Sequence, residues 1–274
     1  MLRRKATFCV FLFSTLWVSF AQAASDQLQE LTKAIRIADM VEVLRQEGLS
    51  HGDDLSSDLM PGRGDESWDR RVSEIYDTVW MEQIVREAFE AEMQGIELQP
   101  LLSFFTSDTG REVVELELST REALLDESKE RVANKAYKSA RRENSWIYGQ
   151  VTELIEDSDL IEFNVTGSLN SNMMFYRGMS DGGALFMSED EMLADVWSQE
   201  EAIRSDSGVW LGTYLLMAYQ TLERDELEAY AELYRSTPGQ KFNAAVFAAY
   251  NRLYDEISYA LGLAVARHMQ SEKL

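Results

Sequence analysis

Carboxylates are the chemically useful side chains that this chain offers in quantity. Its 274 residues include 48 Asp and Glu against 26 Lys and Arg, with only 2 His. Two suitably spaced carboxyl groups can cleave a glycosidic bond, one as the acid and the other as base or nucleophile. Glu112, Glu115 and Glu117 form one such group, but they fall in the first turns of a predicted helix, where the helix dipole favours acids. No spacing singles out a catalytic pair.

Histidine and cysteine offer little further chemistry. His51 and His268 do not accompany a Gly-x-Ser-x-Gly sequence, so a Ser-His-Asp hydrolase is not indicated. A zinc site built on histidine needs two or three such ligands and is disfavoured as well. The single cysteine, Cys9, lies within the first 23 residues. The sequence therefore predicts no catalytic residue, no metal ion and no cofactor.

An acidic segment at residues 48–66 combines glycine, proline and aspartate. This composition predicts a mobile loop that begins where Gly48 ends the preceding helix. The aspartates that could hold a divalent cation loosely are Asp53, Asp54, Asp58, Asp65 and Asp69. Their spacing does not match the EF-hand, so a solvated loop is the simpler interpretation and cation buffering a third functional alternative.

One sequence motif occurs twice, 129 residues apart: an aromatic residue, any residue, Ser, two residues and Gly. The first copy contains Phe105, Ser107 and Gly110, and the second contains Tyr234, Ser236, Pro238 and Gly239. Both copies follow an acidic, leucine-bearing segment with helical character. We predict that each copy forms a tight turn between two helices, with the aromatic side chain as its anchor.

Helix-capping preferences explain the motif without catalysis. Thr237 is predicted as the N-cap, Pro238 as the first helical residue and Gln240 as the partner in a capping box. Asp108 takes the N-cap place in the first copy. The glycine then falls at the second helical position, where it allows the preceding helix to pack closely. The two serines are predicted to cap or bond locally and not to act as nucleophiles.

Tryptophan spacing extends the repeat beyond the motif. Trp68 precedes Gly110 by 42 residues, and Trp197 precedes Gly239 by the same interval. Internal duplication of this kind predicts two related halves, at residues 24–140 and 141–274. Each half would be an antiparallel set of helix hairpins closed by one copy of the motif.

Apolar residues recur every three or four positions along almost the whole chain, which predicts an all-α fold. No segment shows the strict alternation of a strand. A capping box at Ser188 and Glu191 marks one helix start. The helices predicted from residue 67 onward cover 67–93, 97–106, 111–140, 159–177, 188–203, 207–222, 225–236 and 240–270.

The N-terminal 23 residues resemble a secretory signal peptide. A basic start is followed by an apolar run of about 13 residues, too short to span a bilayer, and by a small-x-small cleavage site ending at Ala23. We predict a periplasmic or secreted protein with no stable membrane span after cleavage. The net charge of −22 favours solubility and argues against a nucleic-acid partner.

The second copy of the motif lies in a run, residues 227–242, that ends in Ser236, Thr237, Pro238, Gly239, Gln240, Lys241 and Phe242. This run resembles the signature of a bacterial exported family called domain of unknown function 2059. The match covers about residues 205–265, and residues 76–125 resemble a degenerate copy in which the proline is missing and Arg111 replaces the glutamine. The resemblance implies a helical, exported protein and supplies no catalytic residues.

The leading functional hypothesis is a non-enzymatic binding protein of the cell envelope. Its partner would be an envelope protein or a small apolar ligand, held in a groove between the two halves. The alternative is a carboxylate-dependent hydrolase acting on envelope polymers. Clustered acids with raised pKa in one cleft would favour the hydrolase, whereas an apolar groove with dispersed acids would favour binding.

Overall fold

A computed structural model describes residues 25–60 and 66–271 of the chain. Regular structure in this part of the chain is helical, with no strand, which confirms the all-α prediction. The first seven helices are α1 (residues 25–34), α2 (Ile37–Leu59), α3 (Glu66–Ile75), α4 (Thr78–Glu92), α5 (Gln99–Phe105), α6 (Asp108–Ala123) and α7 (Glu127–Glu143). The next six are α8 (Trp146–Asp157), α9 (Leu160–Asp181), α10 (Glu189–Ser198), α11 (Glu200–Tyr219), α12 (Arg224–Arg235) and α13 (Thr237–Ser271). The predicted signal peptide and its cleavage site lie outside the described residues.

The longest helix, α13, organises the packing. Its 35 residues lie against α9 along one side and against α3, α4, α5 and α12 elsewhere. Two glycines bring α9 and α13 together: a Cβ on Gly178 would lie 2.2 Å from the carbonyl oxygen of Tyr259, and one on Gly262 would lie 2.1 Å from that of Phe175. A methyl group at either position would overlap backbone atoms, so the close crossing depends on both glycines.

One hydrophobic cluster extends through the chain, from Leu28 on α1 to Val265 on α13. It therefore contains residues of both predicted halves. Trp68 and Trp197, which the sequence spacing pairs, differ in environment: Trp68 is 1% exposed in the core and Trp197 is 60% exposed on the surface. The division at residue 140 stays a prediction, but these two tryptophans do not occupy equivalent places.

The predicted loop at residues 48–66 is wrong over its first twelve residues, because α2 continues to Leu59. Gly48 and Gly52 do not end this helix. They let α3 and Tyr76, the residue that follows α3, pack closely against α2. A Cβ on Gly48 would lie 2.0 Å from Cε1 of Tyr76, and one on Gly52 would lie 2.5 Å from a methyl carbon of Val72. His51, Asp53, Asp54 and Asp58 are therefore helical. Residues 61–65, including Asp65, lie outside the described residues.

Three predicted helices are each two helices in the structure. The one predicted at 67–93 is interrupted at Asp77, whose side chain accepts a hydrogen bond from the Trp80 amide at 2.9 Å and caps α4. The one predicted at 111–140 is interrupted at Asp126, which caps α7 by accepting from the Ser128 amide at 2.8 Å. The one predicted at 188–203 is α10, which ends at Ser198, followed by the start of α11. Its capping box at Ser188 and Glu191 is confirmed.

The two motif copies form helix-to-helix corners, but the N-caps lie one residue earlier than predicted. The Gly110 amide donates to Oγ of Ser107 at 3.0 Å, and the Gly239 amide donates to Oγ of Ser236 at 3.1 Å. Both serines are extended, as N-caps normally are. Asp108 and Thr237 are instead the first residues of α6 and α13. The predicted capping box of Thr237 and Gln240 is therefore wrong, and Pro238 is the second helical residue.

The glycine of each corner lies against the end of the preceding helix. A Cβ on Gly110 would lie 2.0 Å from the carbonyl oxygen of Phe104, and one on Gly239 would lie 1.9 Å from that of Leu233. The close approach predicted for these glycines is therefore present, at the third helical position. The corner aromatics converge on Phe242, with ring centroids 5.0 Å away for Phe105 and 6.4 Å away for Tyr234.

Candidate functional site

A cavity of about 770 Å³ lies between α9, α11 and α13, with further walls from α6 and α12. This volume is within the range of small-molecule sites in proteins. Helix α9 contributes Leu160, Asn164, Gly167, Ser168, Ser171 and Asn172; α13 contributes Asn243, Val246, Phe247, Tyr250, Asn251 and Tyr254. The spacing of three or four residues means that each helix presents one continuous face.

The cavity runs from an exposed opening to a buried end. Asp206 and Trp210 of α11 line the exposed part, and the Trp210 side chain is 37% exposed. Tyr219, at the far end of α11, is 1% exposed, and Tyr230 of α12 is 3% exposed. A ligand entering beside Trp210 would therefore leave water as it approaches α6 and α12.

Tyrosine dominates the aromatic lining. Six of the 11 tyrosines of the chain line the cavity: Tyr214, Tyr219, Tyr230, Tyr234, Tyr250 and Tyr254. At the buried end, the Tyr230 ring contacts Tyr219 and Tyr234 edge to face, at centroid distances of 5.7 and 4.8 Å. Near the opening, Tyr214 stacks on Trp210 at 5.1 Å. Rings that are fixed against each other in this way offer rigid contact area to a ligand.

Glu117 of α6 is the carboxylate at the buried end. Its Oε1 atom accepts a hydrogen bond from the Tyr219 hydroxyl at 2.5 Å and another from the Tyr230 hydroxyl at 2.8 Å. The hydroxyls of Tyr230 and Tyr234 lie 3.2 Å apart. Each phenol has one hydrogen, so when Tyr230 donates to Glu117, Tyr234 must donate to Tyr230. Tyr214 donates to the backbone carbonyl of Glu117 at 3.1 Å.

Burial and hydrogen bonding act in opposite directions on Glu117. Loss of water around the carboxylate raises the pKa of Glu117, and the hydrogen bonds from Tyr219 and Tyr230 lower it by less. Burial, and then the nearby Glu117 charge, raise the pKa of Tyr214, Tyr219 and Tyr230 well above the ordinary tyrosine value. These hydroxyls therefore remain protonated hydrogen-bond donors at neutral pH.

Arg121 lies one helical turn after Glu117 and is already paired. Its Nε and Nη2 atoms donate to the two carboxylate oxygens of Glu47 on α2, at 2.7 and 2.9 Å. Nη2 also lies 3.3 Å from the Tyr254 hydroxyl. The guanidinium carbon lies 5.5 Å from the ring centroid of Trp210, which is within cation–π distance. The charge of Arg121 is thus balanced by Glu47, and its face is covered by an aromatic ring.

Amides and hydroxyls of α9 and α13 also line the cavity. The Asn172 amide donates to Oε1 of Gln199 at 2.9 Å, and the Asn164 amide donates to the carbonyl oxygen of Leu160 at 2.7 Å. A Cβ on Gly167 would lie 2.4 Å from Oδ1 of Asn251, so the glycine makes room for this amide. The cavity therefore offers polar contacts for a ligand body in addition to its aromatic faces.

Of the seven corner residues singled out in the sequence, Tyr234 alone lines the cavity. Ser107 and Ser236 cap helices, and Phe105 is buried in the core. Within residues 25–60 and 66–271, no group of three acidic, histidine or cysteine side chains is arranged to hold a metal ion. No helix in the same part of the chain is both long and apolar enough to cross a bilayer.

Sequence reasoning missed the role of Glu117. It was grouped with Glu112 and Glu115 in the first turns of a helix, but α6 begins at Asp108 and Glu117 is in its third turn. Its immediate neighbours in α6 include Val113, Val114 and Leu118, which are buried. An acid on the apolar side of an amphipathic helix is an unusual placement, and this was the available signal.

Comparison of the chain with protein-family models, with curated proteins and with solved structures found no match. The resemblance of residues 205–265 to the exported family stays a prediction.

Proposed function

We propose that the protein is a non-enzymatic binding protein of the cell envelope and that the cavity between α9, α11 and α13 holds a small ligand. The observation that carries this proposal is the cavity itself, about 770 Å³ of space with six tyrosines in its lining. A cavity of this size that opens to solvent and is lined by aromatic rings and a few polar groups is typical of small-molecule sites. The export signal read from residues 1–23 supports a periplasmic or secreted location.

Charge placement supports binding over hydrolysis. A glycosidase needs two carboxyl groups, one on each side of the scissile bond. The carboxylates that line the cavity are Glu117 at the buried end and Asp206 at the opening. Glu47 is engaged by Arg121 in a two-point ion pair. The acids near the cavity are thus dispersed along its length, which is the arrangement that favours the binding hypothesis.

One observation favours the alternative of a carboxylate-dependent hydrolase. Burial raises the pKa of Glu117, and a carboxyl group that holds its proton near neutral pH can act as a general acid. Under that alternative, Glu117→Gln abolishes turnover of an envelope polysaccharide. Under the binding proposal, no such turnover is present in the wild-type protein, which an assay for released reducing ends measures directly.

The binding proposal is tested by a small-molecule screen on residues 24–274. A ligand present at about 100 times its Kd stabilises the folded state by about 2.7 kcal/mol, which raises Tm by roughly 5–10 °C in a chain of this size. Compounds that raise Tm are then measured by calorimetry against two variants. Ser171→Phe fills the cavity, whereas Asn170→Phe places the same side chain on the exposed side of α9.

We expect binding to weaken by more than about tenfold in Ser171→Phe and to be unchanged in Asn170→Phe. Circular dichroism and thermal unfolding establish that both variants are folded. The proposal is overturned if every compound that binds does so equally well to both variants, because binding would then take place elsewhere. It is also overturned if no compound in a broad library raises Tm.

A further inference from the structure

The charges at the cavity leave it negative overall. Glu117 and Asp206 line it as acids, and Arg121 is the lining residue with a positive charge. Glu47 neutralises that arginine through two hydrogen bonds, at 2.7 and 2.9 Å. An anionic ligand would have to compete with Glu47 for Arg121. A cationic ligand would meet no such competitor at Glu117.

Glu117 has capacity for one more hydrogen-bond donor. Its Oε1 atom already accepts from Tyr219 and Tyr230, whereas its Oε2 atom has no hydrogen-bond partner within residues 25–60 and 66–271. A carboxylate oxygen can accept two hydrogen bonds, and the strongest come from charged N–H donors. The two tyrosines fix the orientation of the carboxyl group, and Glu117 is only partly buried, so Oε2 can accept a hydrogen bond from a donor on a ligand.

The aromatic lining suits a cation as well. The electron-rich face of a tyrosine or tryptophan ring attracts an ammonium or guanidinium group within about 6 Å. Arg121 already demonstrates this inside the cavity, with its guanidinium carbon 5.5 Å from the centroid of Trp210. Tyr214, Tyr219, Tyr230 and Tyr234 are all close enough to Glu117 for its charge to affect them. A cation at Glu117 would therefore lie beside the phenol hydroxyls of Tyr219 and Tyr230, while the ring faces elsewhere in the cavity would contact the rest of the ligand.

We infer that the ligand of this cavity is an organic ammonium ion, a protonated primary amine whose charged head contacts Glu117 and whose body lies against the tyrosine rings. This inference rests on the proposed function, because it names the class of molecule that the binding site takes. The amides and hydroxyls of α9 then bind polar groups on the ligand body. A neutral, hydroxyl-rich ring compound is the competing ligand class.

Pairs of amines and their neutral analogues test the charge directly. Suitable pairs are 2-phenylethylamine with 2-phenylethanol, and 4-aminobutanol with 1,4-butanediol. Calorimetry at about pH 8 keeps the amines mostly protonated and favours ionised Glu117. We expect the amine of at least one pair to bind more than about tenfold tighter than its neutral partner.

Two variants of α6, each lacking one negative charge, test whether the preference for the amine depends on Glu117. Glu117→Gln keeps the shape of the side chain and removes its charge, and Glu122→Gln makes the same change at an exposed position of the same helix. We expect Glu117→Gln to weaken binding of the amine by about tenfold while binding of the neutral partner stays unchanged. Glu122→Gln should leave both affinities unchanged. The inference is overturned if Glu117→Gln is folded and binds the amine as tightly as the wild type does.

The matched pairs keep the inference testable on the wild-type protein even if Glu117→Gln fails to fold. Equal affinity within every pair overturns the ammonium inference. Binding of a neutral library compound that Ser171→Phe excludes, with no amine bound, also overturns it but leaves the proposed function standing. If no compound of either kind binds, both proposals fall together.

Discussion

Two opposing electrostatic effects act on the ionisation of Glu117. Burial favours the protonated carboxyl group, whereas hydrogen bonds donated by Tyr219 and Tyr230 favour the ionised one. The phenols can serve either form, because a hydroxyl group both donates and accepts. The charge of Glu117 therefore depends on both its burial and the hydrogen bonds that it accepts.

At the residue scale, we predict a pH-dependent contribution of Glu117 to stability. Its pKa in the folded protein is raised above the ordinary value of 4.5, so the folded state holds this proton more tightly than the unfolded state does. The resulting stabilisation is complete below about 4.5 and is lost as pH rises through the folded pKa, at about 1.4 kcal/mol for each unit of elevation. Glu117→Gln cannot ionise at this position, so its stability does not show this decrease as pH rises.

Urea unfolding at several pH values, from about 4 to 8, measures the effect. The free energy of unfolding of Glu117→Gln should rise relative to that of the wild type as pH increases across this window. Tyr214 and Tyr219 of α11 and Tyr230 and Tyr234 of α12 stay protonated there, since their own pKa values are raised. Glu122→Gln serves as the control for replacing an acid at an exposed position of α6. A pH-independent difference for Glu117→Gln would contradict the prediction.

The cavity could not have been assembled from sequence patterns alone. Glu117 and Tyr254 are separated by 137 positions, and the helices between them had to be packed before their side chains could be placed together. The sequence predicted a groove between the two halves, whereas the cavity is lined mainly by residues 141–274, with Met40, Glu117 and Arg121 from the first half. The sequence could not show which of the 11 tyrosines line the cavity, because tyrosine on an apolar helix face is equally compatible with the core.

At the scale of the helices, the two Ser-x-x-Gly corners connect consecutive helices in the same way. Each serine caps the helix that follows and also donates to the helix that precedes it, Ser107 to the Phe104 carbonyl at 2.6 Å and Ser236 to the Leu233 carbonyl at 2.5 Å. One hydroxyl group thus links the end of one helix to the start of the next.

We predict that Ser236→Ala destabilises the protein by about 1 kcal/mol, the usual cost of losing an N-cap side chain. Thermal unfolding should show Tm lower by roughly 2–4 °C. Affinity for a cavity ligand should stay unchanged, because Ser236 does not line the cavity. Ser198→Ala, which removes an exposed serine from the end of α10, is the control and should change stability by less than about 0.5 kcal/mol. Wild-type stability with lost ligand binding would instead identify Ser236 as a site residue.

Replacing the glycine of the second corner is expected to lower stability more than replacing its serine. In Gly239→Ala the new methyl group would meet the Leu233 carbonyl oxygen at 1.9 Å, so the backbone must move, at a cost of about 1–3 kcal/mol. Gly149→Ala is the matched control, since its Cβ would have no neighbour within 4 Å on α8. The free energy of unfolding of Gly149→Ala should increase by up to about 1 kcal/mol, because alanine has a higher helix propensity than glycine. Urea unfolding of both variants measures the two changes in the free energy of unfolding. Changes of the same sign in Gly239→Ala and Gly149→Ala would contradict the prediction.

Glycine also explains where element prediction failed. The capping box at Ser188 was predictable because all of its information lies within four consecutive residues. Gly48 was predicted to end a helix and Gly52 to lie in a loop, although both glycines make room for side chains in the following part of the chain, Tyr76 at Gly48 and Val72 at Gly52. A glycine that permits close packing and a glycine that ends a helix look the same until the partner is known.

For the whole molecule, α13 is the element on which both predicted halves depend. It packs against α3, α4 and α5 of the first half as well as α9 and α12 of the second. Its buried positions, which include Ala249, Leu253 and Ile257, belong to the same hydrophobic cluster as Trp68 and Phe89. The first half would therefore expose a large apolar surface if α13 were removed.

We predict that residues 24–140 expressed alone do not form a cooperatively folded unit. Without α13, the fragment should bind 8-anilinonaphthalene-1-sulfonate and unfold without a sharp transition, as expected for a chain that lacks specific packing. Calorimetry and dye fluorescence measure this, with the intact chain as the control. A fragment that unfolds with a single sharp transition would instead establish residues 24–140 as an independent domain.

The position of α13 along the chain has a consequence for biosynthesis. All of the described helices that it packs against precede it, and it begins only at Thr237. A ribosome adds about 5–20 residues each second, so the nascent chain spends many seconds with its apolar surface uncovered. We expect nascent chains stalled before residue 237 to be cleaved readily by protease and to recruit chaperones, and released full-length chains to resist cleavage. Equal protease resistance of the stalled and released chains would show that the core closes without its last helix.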